Sequence, residues 1–343
     1  MNALLILGMH RSGTSALAGQ CASMGVWFGD NLLPPRPDNP KGYFEAIDIM
    51  LANDQLVTLL FGGWYSPVAW SDVERSFPLD HPRVIEIQQS LRNTLQGLAA
   101  GGRLWAVKDP RLSRLLPVWW PLIRAMGVAA GIVMAVRRPA EVVASLEQRD
   151  CLGATTSQLL WMRHVAEPLA YALDHDLRIA IMPHHELLGA PDLLSGRLRS
   201  IGFQLERQGP VFVDEALRHH SDVTDLRDDV LSQACEELYQ TVVSVPVFGR
   251  DTAPAGAAEV IRAARDLRLE PYLDRLYFEA MGVASAAQRV FHEKRKSTKQ
   301  AQERAVRQRL RNKERALTQC QEEVARLRPA KPPAEPKAGA KRR

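Results

Sequence analysis

Ala3-Leu4-Leu5-Ile6-Leu7-Gly8-Met9-His10-Arg11-Ser12-Gly13-Thr14-Ser15 joins a five-residue apolar run to a loop bracketed by two glycines and then to helix-forming sequence. A run that short and that continuous reads as a strand buried on both faces. The order strand, loop, helix aims several backbone N–H groups and a helix N-terminus at one point, where an anion is bound. The loop is close to G-x-x-x-x-G-K-[ST], whose Lys reaches the terminal phosphates of a nucleoside triphosphate and whose hydroxyl holds Mg²⁺. Here Thr14 stands in the Lys position, and the basic residue is Arg11, two places before the second glycine. The loop keeps phosphate binding, with donors on Arg11, Ser12, Thr14 and Ser15, and argues against triphosphate chemistry.

Working outward, further short apolar runs at Leu104–Val107, Gly131–Val136 and Arg178–Met182 alternate with helix-like segments over 14–24, 45–60, 83–100, 112–126, 139–148 and 156–174. Strand alternating with helix predicts an α/β fold, a three-layer parallel sheet flanked by helices, with ligands at the carboxyl ends of the strands. Leu32–Gly42, with Pro34, Pro35, Pro37 and Pro40, is neither helix nor central strand and is read as a loop over or beside the site. From about 223 to 284 the pattern is mostly helical, broken at 243–256, and reads as completion of the domain or as a cap. Beyond it, Val306, Leu310, Lys313, Leu317, Cys320, Val324 and Leu327 follow spacings of four and three. That seam predicts a basic helical extension over 285–328, either a solvated single helix or a short coiled coil. Residues 329–343, rich in Pro, Ala and Lys, read as a disordered basic tail.

The chain has 343 residues, enough for one large catalytic domain and an appendage, and its 46% hydrophobic and 24% charged residues are those of an ordinary globular protein. Its net charge of +5 comes from the stretch after Lys294 and not from the body, so nucleic acid is not the expected partner. Cys21, Cys151, Cys235 and Cys320 show neither metal-ligand spacing nor a C-x-x-C pair. No run approaches the roughly 18 apolar residues of a membrane helix, and no cationic leader precedes the first strand, so a cytoplasmic location is expected.

Three other stretches carry candidate chemistry. Arg137 ends a predicted strand and is followed by Pro139, suited to the first turn of a helix, and by Ser145 two turns along it. Lys108, in Val107-Lys108-Asp109-Pro110-Arg111, sits at the end of another strand and faces the same crevice as the loop. Glu45 and Asp48, in Gly42-Tyr43-Phe44-Glu45-Ala46-Ile47-Asp48, follow the Pro-rich loop at the head of a helix, three residues apart and so on nearly one face. The pairs His184-His185 and His219-His220 are neighbours in sequence and do not converge on a metal as i, i+4 pairs can. Arg218 is read as capping a loop, with help in closing the phosphate site as the alternative, and Trp119 and Trp120 as packing.

Together these motifs resemble the sulfotransferases that use 3′-phosphoadenosine 5′-phosphosulfate (PAPS), in particular the bacterial branch related to carbohydrate and tyrosylprotein sulfotransferases. The resemblance covers about residues 1–222. It implies that Arg11, Ser12, Gly13, Thr14 and Ser15, matching [KR]-S-G-[TS]-[TS], hold the 5′-phosphosulfate, and that Arg137 and Ser145, matching R-x₇-S, hold the 3′-phosphate. It further implies that Lys108, in Lys108-Asp109-Pro110, is a catalytic cation. The small-molecule branch has a His two residues after this Lys, where this chain has Pro110, so the base is sought elsewhere. Glu45 occupies the place of the tyrosylprotein base, with Asp48 in reserve. Arg11 and Lys108 would stabilise the charge of transfer, Glu45 would take the acceptor proton, and no metal is called for.

The expected acceptor is a hydroxyl, of a saccharide or glycolipid. Its pocket is sought among Leu32–Phe44, Phe61–Phe77 and Cys151–Trp161, where Trp64, Tyr65 and Trp70 are placed either to stack on sugar or to pack on the body. Two other readings remain at this level: a P-loop nucleotide or small-molecule kinase, and a non-enzymatic assembly protein acting through its C-terminal helix. Residues 285–343 are expected to serve self-association or contact with an anionic membrane surface.

Overall fold

The computed structural model describes residues 2–36, 39–206, 209–213 and 229–281. Four parallel strands, β1 (Ala3–Leu7), β2 (Trp105–Lys108), β3 (Ala130–Val136) and β4 (Ile179–Pro183), form one sheet with an edge strand, β5 (Val247–Phe248), in the order β2-β1-β3-β4-β5. Leu5 lies in register with Val107 on one side and Ile132 on the other. Every residue of these strands is buried because each face of the sheet has its own core. Ala3, Leu5, Leu7, Val107, Met134 and Ile181 point into the larger core, and Leu4, Ile6, Ala106, Val133, Ala135 and Met182 into the smaller. That period-two division explains why the strand sequences are apolar apart from Lys108 at the end of β2, since neither face is spared for water.

The larger face is covered by α2 (Ile47–Phe61), α4 (Pro82–Ala99), α5 (Leu112–Ala125), α7 (Ala154–Asp174), α10 (Val230–Val243) and α11 (Ala257–Arg265). The smaller is covered by α1 (Thr14–Ser23), α8 (His184–Gly189) and α9 (Leu193–Ser200). In α4 the buried residues Val84, Ile87, Leu91, Leu95 and Leu98 recur every three or four places, and Pro82 opens the helix beneath a cap in which His81 Nδ1 accepts the Arg83 N–H at 3.1 Å. Two further helices complete the set, α3 (Trp70–Ser76) and α6 (Pro139–Asp150).

The architecture is the three-layer α/β sheet expected, with all four predicted strands in place. Four features differ from the reading of the sequence. β5 runs antiparallel to β4 inside the stretch read as irregular. The short helices α3, α8 and α9 have too few turns to display a period. The helix expected from residue 45 begins at Ile47, which leaves Glu45 ahead of it. Asp48 is exposed in the first turn of that helix, so the idea that Glu45 and Asp48 share a helix face does not hold. Arg218, the His219-His220 pair, the helix of 285–328 and the tail of 329–343 lie outside the described residues. Among the described residues no helix is long and apolar enough to cross a membrane.

The chain leaves β1 toward β2 and leaves β3 toward β4, so the carboxyl ends of the adjacent strands β1 and β3 form a topological switch point, where open α/β sheets take their ligands.

Candidate active site

The loop after β1 is built by close approach. Gly8 has φ +136°, and a Cβ there would lie 2.6 Å from the Ala135 carbonyl oxygen of β3. Its N–H donates to Ser113 Oγ at 2.9 Å. At the other end Gly13, with φ +85°, precedes α1, and a Cβ there would lie 2.5 Å from His184 Cδ2. Between them Arg11 adopts a left-handed backbone, φ +66°, which a side-chain-bearing residue holds only at a cost of about 1 kcal/mol. That conformation lets Arg137 Nη1 donate to the Arg11 carbonyl at 3.1 Å, while Arg11 Nε donates to Ser145 Oγ at 2.9 Å. The loop and the Arg137–Ser145 element, 126 residues and more apart in sequence, thus meet across the switch point. Arg137 is fixed further by Glu141 Oε2 at 2.7 Å, and its carbonyl accepts the Trp161 indole N–H at 3.0 Å.

Lys108, the last residue of β2, is nearly fully buried. Its Nζ donates to Glu45 Oε1 at 2.6 Å and to Ser15 Oγ at 3.2 Å. Asn39 Nδ2 donates to the same hydroxyl at 3.0 Å and to the Gly42 carbonyl at 2.7 Å, which ties the Pro-rich segment to the start of α1. Burial pushes the Glu45 carboxyl above its ordinary range, against the pull of Lys108 and with the help of the Asp109 charge. Asp109 is held by Asn53 Nδ2 at 3.0 Å and by the Arg111 N–H at 2.9 Å, and Asn53 in turn accepts the Trp119 indole N–H at 2.8 Å. Trp119 packs, as expected, and it also polarises this second layer.

Arg11, Ser15, Glu45, Lys108 and Arg137 open on one cavity of about 620 Å³, with Gly13 and Thr14 in its wall. Ser12 and Ser145 stand behind that wall, 1% and 2% exposed. All the residues expected at the site are therefore brought together except Asp48. The cavity includes Trp64, one of the aromatics placed either to stack on sugar or to pack, and adds residues to which the sequence gave no site role: His10, whose ring centroid lies 4.6 Å from that of Trp64, His184 beside Gly13, Asn39, and Phe212. His10 lay inside the motif and its neighbourhood to Arg11 was a usable signal. Phe212 had none, because it reaches the site by packing on Gly19 from 193 residues away, and a Cβ on Gly19 would lie 2.2 Å from its ring. Among the described residues no cluster of three His, Cys, Asp or Glu is placed to hold a metal.

No known family profile matches the chain, and no curated protein matches its sequence. Among solved structures it is similar to the sulfotransferase domain of the Synechococcus PCC 7002 olefin synthase, at 14% identity and a TM-score of 0.38, over 76% of this chain and 94% of that one. It is also similar to the sulfotransferase domain of the curacin biosynthetic pathway, at 14% identity and a TM-score of 0.34, over 83% of this chain and 96% of that one.

Proposed function

We propose that this chain transfers a sulfuryl group from PAPS to a hydroxyl, of a saccharide or glycolipid. The observation that carries the reading is the junction of Arg11 with Ser145 and of Arg137 with the Arg11 carbonyl. It makes the phosphate loop and a second cation element one clamp, as a nucleotide phosphorylated at both its 3′ and 5′ positions requires and a nucleoside triphosphate does not. The loop also keeps a donor unmet, since Ser12 Oγ is buried without a hydrogen-bond partner.

PAPS brings an activated sulfuryl group with 3′-phosphoadenosine 5′-phosphate as its leaving group. The acceptor oxygen forms the new S–O bond as the S–O bond to the leaving phosphate breaks, and the bonding pair stays with that phosphate. Glu45 is the group within the cavity wall suited to take the acceptor proton, its raised pKa bringing it nearer to neutrality than an exposed carboxylate. Lys108 spans from Ser15 of the loop to Glu45, so one cation serves both the leaving side and the base. Arg11 supplies a second cation beside the loop. A sulfuryl group carries less charge than a terminal phosphoryl group, so protein cations and loop N–H groups meet its needs.

Isothermal titration decides between this reading and a kinase: 3′-phosphoadenosine 5′-phosphate binds and ATP·Mg²⁺ does not. Tight ATP·Mg²⁺ binding without affinity for 3′-phosphoadenosine 5′-phosphate overturns it. For residues 285–343 the proposed role is self-association or membrane contact, and a chain ending at residue 284 then retains transferase activity.

A further inference from the structure

The segment between α2 and α3 is a half-buried connection held by buried charged side chains. Arg114 Nη1 donates to the Ser66 carbonyl at 3.0 Å and Arg114 Nη2 to the Val68 carbonyl. Arg163 Nε donates to the Pro67 carbonyl at 3.1 Å, and Glu167 Oε1 accepts the Trp70 N–H at 2.9 Å. Arg114 and Glu167 are themselves paired at 2.7 Å. All three side chains are buried, Arg163 completely. Taking such charges out of water costs several kcal/mol each unless well-made bonds repay it. Arg163 also donates to the Ala264, Arg265 and Leu267 carbonyls, so the segment is tied to the end of α11 as well as to α5 and α7.

What the pinned segment presents is Trp64. Its neighbours divide: Trp70 is buried against Phe61 and belongs to the core, while Tyr65 is 55% exposed. Trp64 alone reaches the cavity, with its ring beside that of His10 on the phosphate loop. His10 Nε2 is shut off from solvent and has no hydrogen-bond partner. The imidazole is held neutral, by burial first and then by Arg111, His164, Arg149 and Lys108 around it. At the same end Arg149 and Asp150, both partly exposed, pair with each other at 2.7 Å and so cancel in charge. Here the cavity has an aromatic wall beside a neutral imidazole and an ion pair.

We propose that Trp64, backed by His10, forms the acceptor subsite, and that it takes a pyranose whose C–H face lies on the indole while its hydroxyl edge meets the Arg149–Asp150 pair. The inference rests on the transferase reading for the word acceptor, though not for the binding itself. A pyranose has one apolar face and a rim of hydroxyls, which matches a rigid aromatic set among polar groups. A plain phenol would leave those polar groups without a rim of hydroxyls to meet.

Saturation-transfer NMR on the full chain tests this with methyl β-D-glucoside, methyl β-D-galactoside, methyl β-D-glucuronide and p-cresol as probes, alongside titration of 3′-phosphoadenosine 5′-phosphate. The expected result is transfer to the ring C–H protons of a glycoside that falls about five-fold in Trp64→Ala, is largely kept in Trp64→Phe, and is unchanged in Tyr65→Ala. All three variants bind 3′-phosphoadenosine 5′-phosphate as the parent does, which shows that they fold. Transfer that is equal in Trp64→Ala and parent, or transfer to p-cresol in place of the glycosides, or none to any probe, overturns the subsite while leaving the nucleotide reading standing. Trp64-dependent glycoside binding in a chain with no affinity for 3′-phosphoadenosine 5′-phosphate does the reverse.

Discussion

Glu45 and Lys108 form a buried ion pair 2.6 Å long, with side chains 9% and 2% exposed, and each is worth more to the other than to the fold. Removing one member leaves a charge stranded in a dry site, which costs about 3–5 kcal/mol, whereas replacing both is far milder. Lys108→Ala is therefore expected to lower both turnover and urea stability, and Lys108→Met combined with Glu45→Gln to recover most of the stability without the turnover. A double-mutant cycle on unfolding free energy checks this, and additivity of the two single losses would refute the pairing. Glu45→Gln alone is expected to cut turnover about 10²–10⁴-fold with affinity for 3′-phosphoadenosine 5′-phosphate nearly unchanged. The base must be ionised to work, so kcat/KM of the parent falls as pH drops through the Glu45 pKa, which burial has raised above the ordinary carboxylate range. That acid limb disappears in Glu45→Gln. If it persists, another group is the base.

The loop between β1 and α1 is the element on which everything else converges. Gly13→Ala asks an alanine to hold φ +85° and to place its Cβ 2.5 Å from His184, so the loop must distort. The expected outcome is loss of nucleotide affinity by about ten-fold or more, read by titration, with the sheet intact by circular dichroism. Ser145→Ala acts on the same element from α6. It removes the acceptor for Arg11 Nε, costs about 1 kcal/mol of stability, and weakens nucleotide binding more than turnover at saturation. This loop was legible in the sequence because its cause is local: five residues buried on both faces, then glycines where no Cβ fits. β2, β3 and β4 were legible for the same reason, and so was the meeting of Arg11, Lys108 and Arg137, since each follows a strand of one parallel sheet. Glu45 was identified as a residue but misplaced on a helix, because the turn that sets it against Lys108 depends on the Leu33 N–H bonding to the Glu45 carbonyl. β5, two residues long, and Phe212 are placed by partners far along the chain and left no local pattern.

At the scale of the whole molecule, the larger core runs from β1 to α11, and it closes over two imidazoles close to the site. His164, on α7, accepts no solvent, makes a 2.7 Å contact from Nδ1 to the Leu160 carbonyl, and lies 6.2 Å from His10, ring to ring. Burial, then the field of Arg114, lowers its pKa to about 3, and burial lowers that of His10 well below 6.5. The unfolded chain therefore binds protons that the folded chain refuses over the range from about pH 6.5 downward. Stability is flat above that range and falls below it, by up to about 1.4 kcal/mol per pH unit for each imidazole. Glu45 runs the other way, since a raised pKa makes the folded state hold its proton longer, but one carboxyl does not offset two imidazoles. Urea midpoints measured at pH 7, 6 and 5 are accordingly expected to decline, and His164→Gln to remove about one proton from the slope. Midpoints that stay constant from pH 7 to pH 5 would show that the core accepts these rings charged, and with that the neutral state assigned to His10 beside Trp64 would be lost as well.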